Sequence, residues 1–133
     1  MYRVTRELTF CYGHRLLEHA GRCKFLHGHN GRVLITLESE TLDAQGMVVD
    51  FARLKKSVGT WVDEQFDHRL ILQRCDPLVP VLEAQGETFV LIDEPPTAEV
   101  LARMIFDYTF AQGFPVVEVV LWETESCYAT YRR

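Results

Sequence analysis

No apolar run in this chain approaches the ~20 residues that a membrane-spanning helix requires, so no helical membrane anchor is expected. The opening residues, Met1-Tyr2-Arg3-Val4-Thr5-Arg6-Glu7, lack the apolar core of a secretory signal. A cytoplasmic protein is the expectation. Basic residues are in the minority: 14 Lys and Arg against 19 Asp and Glu give a formal net charge of -5. That balance argues against nucleic acid as a partner, since such binding draws on Lys and Arg contacts to phosphate. Cysteines are few, and Cys11, Cys23, Cys75 and Cys127 form no CxxC pair. A disulfide framework is not expected, and in a cytosolic chain these are reduced thiols. Repeats, linkers and low-complexity tracts are absent as well.

What remains is an ordinary globular composition, 47% apolar and 25% charged over 133 residues. Such a chain can bury a real core without staples, and residues 1–133 are expected to form one domain. Tyr2 to Tyr12 alternates, with Val4, Leu8, Phe10 and Tyr12 on one face and only Arg6 interrupting. His29 to Leu37 alternates again, with Val33, Ile35 and Leu37 on one face. Both segments read as half-buried strands. Asp50 is placed as a helix N-cap. After it Phe51, Leu54, Val58, Trp61, Val62 and Phe66 recur at helical spacing. Leu78 to Asp93 reads as a hairpin around Gln85-Gly86.

Pro95-Pro96 stops that excursion, and Thr97 is a second N-cap candidate. The stripe Val100, Leu101, Met104, Ile105 and Tyr108 follows, ended by Gly113 and Pro115. Val116 to Trp122 and Cys127 to Tyr131 read as two closing strands. The expected fold is α+β: a four-stranded antiparallel sheet with two helices on one face, in the order β-β-α-α-β-β, plus the inserted hairpin.

The chemistry concentrates at one sheet end. His14 lies on the apolar face of the first strand. His27 and His29, two residues apart, lie on the apolar face of the second. If the strands pair antiparallel, the three imidazoles converge. Three neutral imidazoles suit zinc and leave its fourth position open, which is the pattern of a catalytic site. An isolated HxH is a weak signal; three of only five histidines on one face are a stronger one. Cys23, four residues before His27, is an alternative fourth ligand that would close the site.

Cys23-Lys24-Phe25-Leu26-His27-Gly28-His29 resembles the CxxxHGH signature of the 6-pyruvoyl-tetrahydropterin synthase superfamily. The three-residue spacer is similar to its bacterial branch, the 6-carboxy-5,6,7,8-tetrahydropterin synthases of queuosine biosynthesis. The resemblance extends over most of the chain. Phe10 to His14, Asp50 to Lys55, Phe66-Asp67-His68, Pro96-Thr97-Ala98-Glu99 and Trp122-Glu123-Thr124 each resemble a family segment.

The resemblance implies a tunnelling fold and a homohexamer with active sites between subunits. It also implies a zinc-dependent carbon–carbon lyase. The substrate would be 7,8-dihydroneopterin triphosphate, converted with water to 6-carboxytetrahydropterin, acetaldehyde and triphosphate. His14, His27 and His29 would hold Zn2+, and Cys23 would be the proton-transfer base. His68, oriented by Asp67, would be its partner. Glu123 would anchor the pterin, with Thr97 contributing a polar contact. Arg15, Arg22 and Lys24 lie close enough in sequence to meet the triphosphate.

Sister branches, which form pyruvoyl or folate-pathway pterins, share much of this motif set. A non-catalytic zinc or pterin-binding protein would need neither Cys23 nor Asp67-His68. Three segments depart from the family pattern. They are Cys11-Tyr12-Gly13 before the first histidine, Arg69-Leu70-Ile71-Leu72 without the usual asparagine, and the long stretch from Cys75 to Glu94.

Overall fold

Side-chain alternation carries the first strand, β1, from Tyr2 through His14, and the second, β2, from His27 to Ser39. The computed structural model describes residues 1–133. It pairs these two strands antiparallel along their whole length, from Tyr2↔Ser39 to His14↔His27. On β1 the buried face carries Phe10, Tyr12 and His14; on β2 it carries Val33, Ile35 and Leu37. β5 (Val116–Trp122) runs antiparallel beside β2, and β6 (Tyr128–Arg132) beside β5. A register shift at Thr36/Leu37 turns Val116 inward with Val119 and Leu121. Val117, beside it, is only half-buried.

The sheet is larger than the four antiparallel strands expected. It has six, in the order β4-β3-β1-β2-β5-β6. β3 (Arg69–Gln73) joins the free edge of β1 in parallel, and β4 (Phe89–Ile92) joins β3 in parallel. The sheet is therefore mixed. Both added strands are short apolar runs without polar alternation, so periodicity alone carried no signal for them.

The expected hairpin over Leu78 to Asp93 is instead a helix, α2 (Val79–Gln85), followed by β4. Pro80 sits in the helix's first turn, where its missing N–H costs nothing. Gly86 is the left-handed C-cap, at φ 71°, and its N–H reaches the Glu83 carbonyl. The Gln-Gly pair thus ends a helix rather than turning a hairpin.

α1 spans Phe51–Leu54, a π turn over Lys55–Gly59, and Thr60–Gln65. The Asp50 carboxylate accepts from the Ala52 N–H at 2.8 Å, as an N-cap should. Leu54, Val58, Val62 and Phe66 are buried, whereas Phe51 is 40% exposed. α3 (Ala98–Ala111) is capped by Thr97, whose hydroxyl accepts from the Val100 N–H. Its buried stripe is Leu101, Ala102, Ile105, Phe106 and Thr109; Val100, Met104 and Tyr108 flank it half-buried.

α1 and α3 cover the same sheet face, and the core lies between them and the sheet. The opposite face is polar, with ion pairs Arg3–Glu38 and Arg32–Glu7 and a Thr5–Thr36 hydrogen bond. No helix is long and apolar enough to cross a membrane.

Leu54→Ala should cost about 2–5 kcal/mol of folding stability, since it empties a fully buried site. Phe51→Ala should stay within about 0.5 kcal/mol. Urea unfolding of both variants checks this, and equal losses would show that Phe51 belongs to the core after all.

Candidate metal centre and active site

The register His14↔His27 and Tyr12↔His29 brings the three histidines together at one end of the sheet. Their ring centroids lie 4.5–5.1 Å apart. One ligand atom from each lies within 4.8 Å of the others. His14 is 2% exposed; His27 and His29 are half-buried at the rim.

Backbone carbonyls settle which nitrogen of two of the rings faces the cluster. The His14 Nδ1–H donates to the Pro96 carbonyl at 2.7 Å, and the His27 Nδ1–H donates to the Phe25 carbonyl at 2.7 Å. A carbonyl can only accept, so each Nδ1 carries the proton and each neutral ring keeps a lone pair on Nε2. The His14 Nε2 is buried and has no partner. Such an orphan is costly unless something occupies it. Burial pulls the His14 pKa below its ordinary value, aided by His27 and His29 and opposed by the Pro96 hydrogen bond and Glu123. His29 is lowered in the same way, by burial first and by His27, against Glu123.

Burial thus favours the metal-binding neutral form of His14 and His29, and His14 and His27 have the outer-shell acceptors typical of ligand histidines. A divalent ion fits this donor set, and the open fourth direction suits a site that exchanges ligands.

Glu123 follows β5 and joins this cluster. Its Oε1 lies 3.8 Å from His14 Nε2 and 3.9 Å from His29 Nε2. The same oxygen accepts a hydrogen bond from the Tyr12 hydroxyl at 3.2 Å. Burial, then the Glu123 charge and hydrogen bond, push the Tyr12 phenol far above its usual range, so it stays a donor. Gly31 gives the ring its room: a Cβ there would lie 3.2 Å from Tyr12 Cε1. Sequence reading passed over Tyr12, although it stood in a segment that departs from the family pattern. A cavity of about 610 Å³ lined by His29, Arg32, Trp122, Glu123 and Thr124 opens beside the cluster.

Cys23 lies half-buried in a 3-10 turn, Arg22–Lys24, within the loop that joins His14 to His27. The Leu16 N–H donates to the Cys23 carbonyl at 2.8 Å, tying this turn to the end of β1. Thr97 spends an acceptor site on capping α3 but keeps its hydroxyl proton free to donate. The Pro96 carbonyl beside it orients His14. The loop before α3 therefore serves helix and site together.

Asp67 and His68 form a pair elsewhere. The His68 Nδ1 lies 2.8 Å from the Asp67 Oδ2, and the other Asp67 oxygen accepts from the Cys11 N–H at 2.9 Å. Burial alone would raise the Asp67 carboxyl. The Cys11 N–H and His68 outweigh it and hold the carboxyl below its usual range. His68 adopts φ 57°, and its N–H donates to the Cys11 carbonyl at 2.7 Å. The thiol at this imidazole is that of Cys11. By strand alternation Cys11 points to the face opposite Tyr12 and His14. The chain thus gathers its candidate residues into two groups on opposite sides of β1.

Arg15 is committed elsewhere than to a phosphate. Its guanidinium makes a two-pronged ion pair with Asp76, a buried carboxylate that also accepts from the Leu78 N–H. These bonds hold the Asp76 carboxyl below its usual range, against the effect of burial. The long segment after β3 thus grips the residue next to His14. No local signal marked Asp76 in the sequence. Lys24 lies over the Phe25 ring at 5.1 Å.

Known proteins match this chain over nearly its whole length. The family described as 6-pyruvoyl tetrahydropterin synthase matches residues 3–133. A 6-carboxy-5,6,7,8-tetrahydropterin synthase from Rickettsia conorii is 35% identical over 96% of this chain and 98% of its own. The crystal structure of an uncharacterized protein from Wolinella succinogenes superposes with a TM-score of 0.82 at 28% identity, covering 99% of this chain and 98% of that one. A 6-pyruvoyl tetrahydropterin synthase from Caenorhabditis elegans superposes at 0.73, with 26% identity over 99% of this chain and 95% of that one.

Two outcomes are expected. His14→Ala should abolish tight divalent-metal binding at the trio, as read by metal content after gel filtration; retained stoichiometric metal there would refute the ligand set. Asp76→Asn should cost on the order of 3 kcal/mol, because it strands the Arg15 charge. The Asp76 contribution is complete above about pH 4 and is lost as pH falls through the lowered folded-state value. The stability gap to wild type should therefore be full at neutral pH and narrow in acid.

Proposed function

This chain belongs to the 6-pyruvoyl tetrahydropterin synthase family, and we propose that it is a zinc-dependent lyase of queuosine biosynthesis. The reaction is the conversion of 7,8-dihydroneopterin triphosphate and water to 6-carboxy-5,6,7,8-tetrahydropterin, acetaldehyde and triphosphate. The observation that carries this reading is the trio of imidazoles beside Glu123, one Nε2 buried without a partner. The names of relatives and the three-residue spacer between Cys23 and His27 favour the carboxy branch.

His14, His27 and His29 would hold Zn2+, which supplies Lewis acidity to the oxygens of the substrate side chain. Glu123 would bind the amino-pyrimidinone edge of the pterin, a donor pair that a carboxylate accepts much as it accepts guanidinium. Tyr12 fixes the carboxylate's orientation through its hydroxyl. Thr97 would offer its free hydroxyl proton at the same mouth. Cys23 would remove the side-chain proton as thiolate. His68, oriented by Asp67, would return or relay it.

The two groups on opposite sides of β1 support a site shared between chains. A substrate at one chain's histidines would meet the Asp67-His68 pair of a neighbour. Phe25 and Leu26, 62% and 45% exposed beside the trio, offer apolar surface for that neighbour. A homohexamer is the assembly we propose.

Incubation of zinc-loaded protein with 7,8-dihydroneopterin triphosphate should give carboxytetrahydropterin and acetaldehyde by mass spectrometry. Pyruvoyl or hydroxymethyl pterin would move the protein to a sister branch, and unchanged substrate would favour a binding protein. Cys23→Ala and His68→Ala should each lower kcat by about 10²–10⁴. Co-assembled from unfolded mixtures, the two inactive variants should regain part of the activity. No recovery would overturn the shared site.

A further inference from the structure

Cys11 takes no part in the reaction proposed above, yet it stands against the residue that does. Its Sγ lies 3.4 Å from His68 Nδ1 and 3.6 Å from Nε2. Nearly equal distances to both nitrogens put the sulfur beside the ring, not in line with one N–H. No good S–H···N hydrogen bond explains the contact. Cys11, Asp67 and His68 each present one ligand atom within 4.8 Å of the others. A tetrahedral zinc with Zn–S about 2.3 Å and Zn–N about 2.0 Å separates its sulfur and nitrogen ligands by about 3.5 Å. The Sγ–Nδ1 distance is close to that value, and a turn of the His68 ring away from its 2.8 Å contact with Asp67 would aim one lone pair between sulfur and carboxylate.

The scaffold around the three donors is built rather than casual. The Cys11 N–H holds one Asp67 oxygen, leaving Oδ2 turned to His68. The His68 N–H is held by the Cys11 carbonyl, and the residue keeps a left-handed backbone that few non-glycine residues adopt. A ligating carboxylate with its own hydrogen-bond support is the usual outer-shell arrangement. An ion has access from two sides. One cavity of about 400 Å³ is lined by Cys11, His68 and Arg69, and another of about 410 Å³ by Thr9, Asn30, Cys11 and Asp67. His68, the most exposed of the three, can turn a nitrogen lone pair toward the ion.

We propose that Cys11, Asp67 and His68 form a second divalent-metal site, separate from the histidine trio, that takes a thiophilic ion such as zinc. The mixed sulfur, nitrogen and oxygen donors favour zinc or cobalt over magnesium or calcium. Binding displaces the thiol proton and breaks the His68–Asp67 hydrogen bond, with the released proton passing to solvent. A metal on His68 withdraws its lone pair from proton transfer, so the second ion inhibits. This inhibitory consequence rests on the role proposed for His68; the binding does not.

The test uses the assembled protein loaded with one zinc per chain and then titrated with Co2+. Wild type should take up one further cobalt per chain, with a thiolate-to-cobalt charge-transfer band in the near ultraviolet. Cys11→Ser should lose both the band and the second equivalent while keeping the first zinc and the oligomeric state. Cys23→Ser should keep the band. Absence of a second equivalent in wild type, or a band that survives Cys11→Ser or vanishes with Cys23→Ser, would overturn the site. In turnover assays, excess zinc should slow wild type about 100-fold and leave the Cys11→Ser rate where it stands without added zinc. A filled second site with undiminished turnover would refute the inhibition. The spectroscopic result stands whichever pterin, if any, the protein converts.

Discussion

The antiparallel register of β1 against β2 is the constraint on which the candidate site depends. Pairing His14 with His27 and Tyr12 with His29 places three imidazoles on one face at one end. A slip of one residue would send one strand's histidines through the sheet to the other side. Register is held by burial, since Val33, Ile35 and Leu37 of β2 are fully excluded from water by that pairing. The histidine cluster and the core therefore share one determinant, and the strand that folds the protein also aims the candidate ligands.

The remaining ligand geometry comes from backbone at element ends. Pro96, immediately before the cap of α3, orients His14, and Phe25, at the exit of the 3-10 turn, orients His27. Carbonyls at such places have no ladder partner to satisfy. Using them to fix imidazole tautomers satisfies them and prepares the rings for a metal. Arg15 adds a grip from outside, because its buried partner Asp76 belongs to the segment between β3 and α2. It opens the stretch from Cys75 to Glu94 that departs from the family pattern, and it braces the histidine end of β1.

Alternation gives β1 two chemical faces. Tyr12 and His14 face the core and the trio; Cys11, between Phe10 and Tyr12, faces outward to Asp67 and His68. The same strand therefore serves two groups that do not meet within one chain. This separation is the physical basis for the proposal of a site shared between subunits, and it leaves a thiol-bearing cluster on the far side.

Much of the architecture was legible because its signals are local. Polar alternation announced β1 and β2, a strongly apolar run announced β5, and Asp50 and Thr97 announced the starts of α1 and α3. HxH spacing on an apolar face announced that the three histidines converge. β3 and β4 stayed hidden, since apolar runs of three and four residues become strands only when β1 offers an edge. α2 was mistaken for a hairpin because Val-Pro-Val-Leu suits either state until Gly86 is seen to cap rather than turn. By itself, then, the sequence determined the periodic elements, the caps and the identity of the candidate ligands, because those depend on residue type and short spacing. Tertiary structure alone decided that Tyr12 meets Glu123, that Arg15 meets Asp76 and that His68 meets Cys11. Each of those contacts joins residues more than fifty positions apart, and only the packed sheet brings them within reach.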